Sequence, residues 1–349
     1  MENYPKPDGV LPDRPAPTPR EIKRRRFLVG AGALITAGMG AKLARDVDER
    51  SQRANVFIAR AERYTHDLNQ TVGNGLAELG ITRAWVAGKS VLLKPNLVEP
   101  SRTAPHINTH PALVQATAEA FRSLGAREVV VAEGQGHCRD SDWVLDESGL
   151  AAVLDEARLE FVDLNHDEVF LTPNRSRFTR LRQLGLPRSL KRADIVVSMP
   201  KLKTHHWAGV TLSMKNLFGV MPGVYYGWPK NVLHHAGIPE SILDITATVR
   251  PHLAIVDGIV GMEGDGPIMG TAKSVGAIVM GTNLPAVDAT ATRLMGIDPW
   301  RVAYLARASG RLGPISERHI AQRGESIASL AQTFALIEPL QAELRPTLS

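Results

Sequence analysis

Sulfur chemistry is nearly absent: of 349 residues one, Cys138, is a cysteine. A single thiol excludes an intramolecular disulfide. It also excludes a zinc site or an iron–sulfur cluster held by the cysteines of one chain. Any metal must rest on histidine, on carboxylate, or on ligands that a cofactor brings. Cys138 itself fits a small apolar filler better than a nucleophile. A charge excess is missing as well. The net +5 belongs mostly to residues 1–44, which hold eight Lys/Arg and four Asp/Glu and leave 33 basic against 32 acidic side chains elsewhere. A nucleic-acid binder concentrates Lys and Arg on one face, so the near-neutral body argues against that class. There is no internal repeat, no low-complexity tract and no phosphate-cradling lysine motif of the Walker type.

What the chain does have begins with an address. Lys23-Arg24-Arg25-Arg26-Phe27-Leu28 opens an uncharged run to Ala41. A basic region followed by a short apolar one is a secretory signal, and Arg24-Arg25-x-Phe27-Leu28 has the twin-arginine form. The run of fifteen residues falls short of the ~20 that span a bilayer. The expectation is export by the twin-arginine machinery to the periplasm or beyond. Cleavage near Gly38-Met39-Gly40 and retention as a membrane anchor both stay open. Because this route carries folded proteins, a bound cofactor becomes more plausible, though not identified.

Residues 46–80 have helical spacing, with Val56, Ala59, Ala61 and Leu68 among Arg and Glu. Strand and helix patterns then alternate. Ser90–Lys94, Glu128–Ala132, Leu159–Asp163, Asp194–Met199, His252–Val256 and Val275–Met280 read as strands. Helices are expected at Pro111–Leu124, capped by Asn108 or Thr109, at Trp143–Ala157 and Glu240–Thr248, and at Pro285–Met295, Trp300–Ala308 and Glu325–Phe334. This is an α/β pattern: a mostly parallel sheet with helices on both faces, in one body or in two lobes around a cleft. The plan is a signal region at 1–44, a helical segment at 45–87, the α/β domain at 88–310 and a helical C-terminal segment at 311–349. The stretch 165–190, with five arginines, reads as a flap, a crossover or a solvated loop.

Ligands of open α/β sheets bind beyond the carboxyl ends of the strands. Those ends carry Lys94, Glu133 and His137, then Lys201, Lys203 and His205, and finally Asp257. Their convergence on one cleft is expected, although polar residues also follow buried strands wherever a loop surfaces. Histidines cluster as His106 with His110, His205 with His206, and His234 with His235. Adjacent side chains of an extended segment point to opposite sides, so one of each adjacent pair should be structural. Gly134-Gln135-Gly136 follows a strand as a dinucleotide loop does, but Arg139 occupies the third glycine position, which argues against nicotinamide binding. Glu263 and Asp265 are positioned to hold a cation or simply to face water.

The segments VLLKPNLV, HINTHPALVQA, EVVVAEG, ADIVVSMPKLKTHHWAGVTLSMKNLFGVMPG and AIVDGIVGMEGDGPIMG, followed by NLPAVDATATRLMGIDP, resemble the bacterial and archaeal family called domain of unknown function 362 over residues 88–300. Members often carry a ferredoxin-like iron–sulfur module, whose cysteines this chain lacks. The stretch from His205 through Lys215 and Pro222-Gly223 to His234 is more remotely similar to the lactate racemase family, which uses a nickel-pincer nucleotide. That resemblance implies His205 and His137 as acid/base pair, Lys215 as covalent tether of the cofactor and His234 as nickel ligand. Two functions follow as expectations. One is a cofactor- or metal-dependent isomerase or oxidoreductase on a small hydroxy acid or sugar acid, which needs Lys215, His205, His137 and His234 around one cavity. The other is a non-catalytic receptor for a small anion, with Lys94, Lys201 and Lys203 as counter-charges and the histidines scattered.

Overall fold

Short runs of Val, Ile and Leu build the sheet, because strands covered on both faces need apolar side chains at every position. The computed structural model describes residues 53–136 and 140–344. Its strands are β1 (Ala54–Arg60), β2 (Ser90–Pro95), β3 (Glu128–Glu133), β4 (Glu160–Asp163), β5 (Val169–Pro173), β6 (Gln183–Pro187), β7 (Ile195–Met199), β8 (Lys201–His205), β9 (Gly209–Thr211), β10 (Leu253–Glu263), β11 (Thr271–Gly281) and β12 (Ile320–Gly324). The longer helices are α1 (Leu68–Glu78), α2 (Pro111–Ser123), α3 (Ser141–Glu147), α4 (Leu150–Ala157), α5 (Ile238–Val249) and α6 (Leu284–Leu294).

Ten strands form one sheet in the order β12-β1-β11-β10-β7-β2-β3-β4, with β8 and β9 branching from β10. All pairings are parallel except those of β11 with β10 and β1, and of β9 with β8. Side-chain alternation along β10 sends Leu253 and Ile255 to one face and Ala254 and Val256 to the other. The first face packs with Val72 of α1 and Phe121 of α2, the second with Ile245 of α5 and Val287 of α6. Helices therefore cover both faces, as the alternating pattern implies.

One feature of the sheet creates the site. β10 is eleven residues long; Leu253 and Ala254 pair with β7, and further along Asp257 and Met262 pair with β8. Pro200 joins β7 to β8, and its carbonyl accepts the Asp257 N–H at 2.8 Å. A proline has no N–H for the ladder, so the strand breaks there and restarts. The restart carries Lys201, Lys203 and His205 past the carboxyl edge formed by β2, β3 and β7.

Several expectations need correction. Residues 54–60 are strand β1, lying between β11 and β12, and only the later part of 45–87 forms α1. β12 in turn falls within the segment 311–349 expected to be helical, where the α-helices among the described residues are the single turn Ile327–Leu330 and the seven residues Glu338–Leu344. Both ends thus belong to the same sheet as the middle, and the described residues lie within one unit rather than two lobes. Trp143–Ala157 is split into α3 and α4 at Gly149, which adopts φ +73°. His110, not Asn108 or Thr109, caps α2, its Nδ1 accepting the Ala112 N–H at 3.2 Å. The stretch 165–190 contains the antiparallel hairpin β5–β6. The signal region and His137 lie outside the described residues.

Candidate functional site

Beyond the carboxyl ends of β2, β3 and β8 lies a cavity of about 310 Å³. Its polar lining includes Lys94, Glu133, Lys203, His205, Lys215 and Lys230. Lys94 ends β2 fully buried, and its ammonium donates to Glu133 Oε2 at 2.5 Å, to Pro95 O at 2.9 Å and to Asn216 Oδ1 at 3.0 Å. Three donors thus meet three acceptors. Burial lowers the Lys94 pKa and the Glu133 charge partly restores it. Glu133 also accepts the N–H groups of Gly134 and Leu97. This pair is a satisfied clamp between β2, β3 and the short helix Ser213–Asn216.

Lys215, on that helix, differs in kind. Its ammonium lies 4.1 Å from the centroid of the Phe218 ring, and among the described residues no carboxylate lies within ion-pair distance. Burial, then the Lys94 charge, push its pKa down to about 8, against the pull of Glu133. Such an amine is partly neutral near physiological pH and nucleophilic in that form. The helix is held by Asp288 of α6, which accepts the N–H groups of Ser213 (2.8 Å) and Met214 (2.9 Å) and the Ser213 hydroxyl.

Lys203 is buried and donates only to carbonyls, Ile107 O at 2.8 Å and Pro267 O at 3.2 Å. Burial and then the charges of Lys201 and Lys215 hold its pKa well below 10.5. Lys230, which sequence reasoning missed, has φ +71° and donates to Asn165 Oδ1 and Met221 O, with its pKa lowered by burial to about 7. Nothing in Trp228-Pro229-Lys230 as a string marks a buried lysine; its left-handed turn directs it inward.

The imidazoles complete the lining. Nδ1 of His205 accepts the backbone N–H of Trp207 at 3.1 Å and of Ala208 at 3.4 Å, so the neutral ring carries its proton on Nε2. Burial, then the Lys215 charge, keep it neutral well below pH 6.5. His234 shows the opposite tautomer: Nδ1 donates to Lys230 O at 3.1 Å, which puts the lone pair on Nε2. Its ring centroid is 5.6 Å from that of Phe218, whose ring Lys215 also contacts. His206 lines the cavity too, paired with Asp265 at 3.1 Å, whereas His235 is exposed and off the cavity. One histidine of each of these pairs was expected to be structural; the first pair departs from that because the chain turns after β8.

The remaining candidates are elsewhere. Lys201 and Asp257 form a separate buried pair at 2.7 Å, joined by the Tyr64 hydroxyl, which donates to Asp257 Oδ1 at 2.9 Å, and by the His110 N–H. Neither residue lines the cavity, which corrects their expected convergence with Lys94. Tyr64 stacks on His110 with centroids 3.6 Å apart. Glu263 pairs with Lys273 at 3.3 Å and accepts the Ala335 N–H, while Asp265 faces His206. The two carboxylates therefore have different partners, and among the described residues no group of three His, Cys, Asp or Glu is arranged around a metal.

Comparison with known proteins places this architecture. The model of the family described as domain of unknown function (DUF362) matches residues 91–293. The chain belongs to this family. A thylakoid-associated protein of Synechocystis sp. is 30% identical over 232 residues, covering 65% of this chain and 68% of its own. Among solved structures, the lactate racemase apoprotein of Thermoanaerobacterium thermosaccharolyticum superposes with a TM-score of 0.40 at 12% identity, covering 65% of this chain and 55% of that one. A Thermotoga maritima protein gives 0.33 at 12%, covering 58% and 52%. This chain spans about half the length of both. The matched family region, 91–293, holds every described lysine and histidine of the cavity.

Proposed function

We propose that this DUF362 protein is an enzyme acting on a small anionic substrate, of the hydroxy acid or sugar acid class, with Lys215 as the tether of a cofactor. One observation carries the reading: Lys215, His205 and His234 line one cavity, and the Lys215 amine faces an aromatic ring instead of a carboxylate. A lysine kept for charge balance is held as Lys94 is, by a carboxylate and two further acceptors. An amine with a pKa near 8, in a cavity that His234 also lines, fits covalent attachment of an electrophilic group. The donor set fits a nickel-pincer nucleotide: Lys215 would hold it and His234 Nε2 would ligate the metal. When bound, such a group supplies an electrophilic carbon that takes hydride from a hydroxyl-bearing carbon.

The chain's own groups do the rest. His205, neutral with its proton on Nε2, serves as a hydrogen-bond donor to a substrate oxygen, a role for which a depressed imidazole pKa is suited. Because Nδ1 is occupied by two backbone N–H groups, the proton acceptor must be a group other than His205. His137, next after the cavity residue Gly136, is the candidate that the racemase resemblance offers. Lys203 and Lys230 draw in the anion. The twin-arginine sequence Arg24-Arg25-x-Phe27-Leu28 supports work outside the cytoplasm after export in folded form.

The four cavity lysines also favour a second reading, a non-catalytic anion receptor. Metal analysis and intact mass of protein purified from its own host separate the two. About one nickel per chain together with a mass adduct on Lys215 supports the enzyme. An unmodified, metal-free chain that binds small carboxylates supports the receptor.

A further inference from the structure

The hairpin β5–β6 carries a feature that the cavity does not use. Its connecting loop, residues 174–182, holds Arg175, Arg177, Arg180 and Arg182, all exposed. Among the described residues none of the four has a carboxylate within ion-pair distance, in contrast to Arg188, which pairs with Glu168 at 2.8 Å. Arg311 adds a fifth guanidinium, exposed and 5.3 Å from the Phe178 ring centroid.

A solvated charge run needs no scaffold, yet this loop has one. Asp244, buried on α5, accepts hydrogen bonds from Asn174 Nδ2 (2.6 Å), Ser176 Oγ (2.9 Å), Phe178 N (2.8 Å), Thr179 N (2.9 Å) and Thr179 Oγ1 (2.6 Å). Asn174 in turn accepts the Arg177 N–H at 3.2 Å and donates to Leu181 O at 3.0 Å. Arg177 is held at φ 52°, a left-handed conformation that an arginine adopts rarely. A buried carboxylate and a disfavoured backbone thus fix the loop backbone that carries the four like charges. Like charges repel, so their fixed grouping makes physical sense against a dense anionic surface.

We propose that this loop docks the protein on an anionic lipid bilayer. The cluster is confined to one loop, and the rest of the body is close to neutral, whereas a nucleic-acid binder spreads Lys and Arg along a whole face. Leu171, exposed on β5 three residues before the loop, adds an apolar side chain near the cluster. Clusters of four or more basic residues at a membrane surface are enough for selective attraction to acidic headgroups.

The test is sedimentation of the full chain with vesicles of phosphatidylcholine alone or of phosphatidylcholine mixed with phosphatidylglycerol, whose headgroups make the surface negative. The wild type should prefer the acidic vesicles, the preference should fall at 0.5 M salt, and Arg175→Gln/Arg177→Gln/Arg180→Gln/Arg182→Gln should lose it by at least tenfold. Asp244→Asn should weaken it too, while the quadruple variant keeps the wild-type circular dichroism and melting temperature. Equal partitioning of wild type and quadruple variant overturns the proposal. So does tighter binding of the loop to duplex DNA than to acidic vesicles at the same salt.

Discussion

Gly219 shows how tightly single atoms define the cavity. A Cβ there would stand 1.8 Å from Glu133 Oε1 and 2.7 Å from Lys94 Nζ, so the buried pair sits where a side chain would be. Gly219→Ala must push the two ions apart, and separating a buried pair costs about 3 kcal/mol or more. Urea unfolding should show that loss with an unchanged m-value; a variant as stable as the wild type would contradict the clamp. Lys230 gives a second prediction. Its pKa, near 7, lies below the ordinary 10.5 because burial disfavours the ammonium. A bound anion stabilises the charged form, so binding takes up a proton and carboxylate affinity should fall as pH rises from 6 to 9. Calorimetry in buffers of different ionisation enthalpy measures the uptake; affinity flat over that range would place this amine outside the binding event. At this scale Lys94, Glu133, Lys203 and His205 were legible because strand ends announce themselves. Lys230 and Gly219 were not, since a left-handed turn and a close approach are properties of three dimensions.

Elements were readable where one residue pattern had one meaning. β2, β3 and β7 are apolar at nearly every position and have parallel neighbours on both sides. β1 misleads because Val56 and Ala59 satisfy helical spacing as well as a strand buried on both faces. β8, KLKTH, hides because its lysines are buried against a carboxylate and carbonyls, which local composition cannot show. The short helix Ser213–Asn216 depends on Asp288 of α6, whose pKa burial raises to about 7 although hydrogen bonds from Ser213 and Met214 pull it down. A carboxyl that holds its proton more tightly when folded stabilises the fold at low pH. That contribution fades as pH rises from about 4 to 7. The urea midpoint should therefore decline over that window in the wild type, and Asp288→Asn should flatten the decline. A slope unchanged in the variant would assign the titration to another group.

At the scale of the whole molecule, a break at Pro200 sends a second strand past the edge of a parallel sheet, and the cavity forms where that strand meets the ends of β2 and β3. The family match over 91–293 covers this construction, while β1 and β12 widen the sheet on its far side. The central claim is that the Lys215 amine is a chemical participant and not a counter-charge. Intact mass and nickel content should be measured together on native-host protein and on Lys215→Ala produced in the same host. The account predicts an adduct and about one nickel in the wild type, and neither in a variant that melts at the same temperature. The unmodified chain mass in both, with no metal in either, would contradict it.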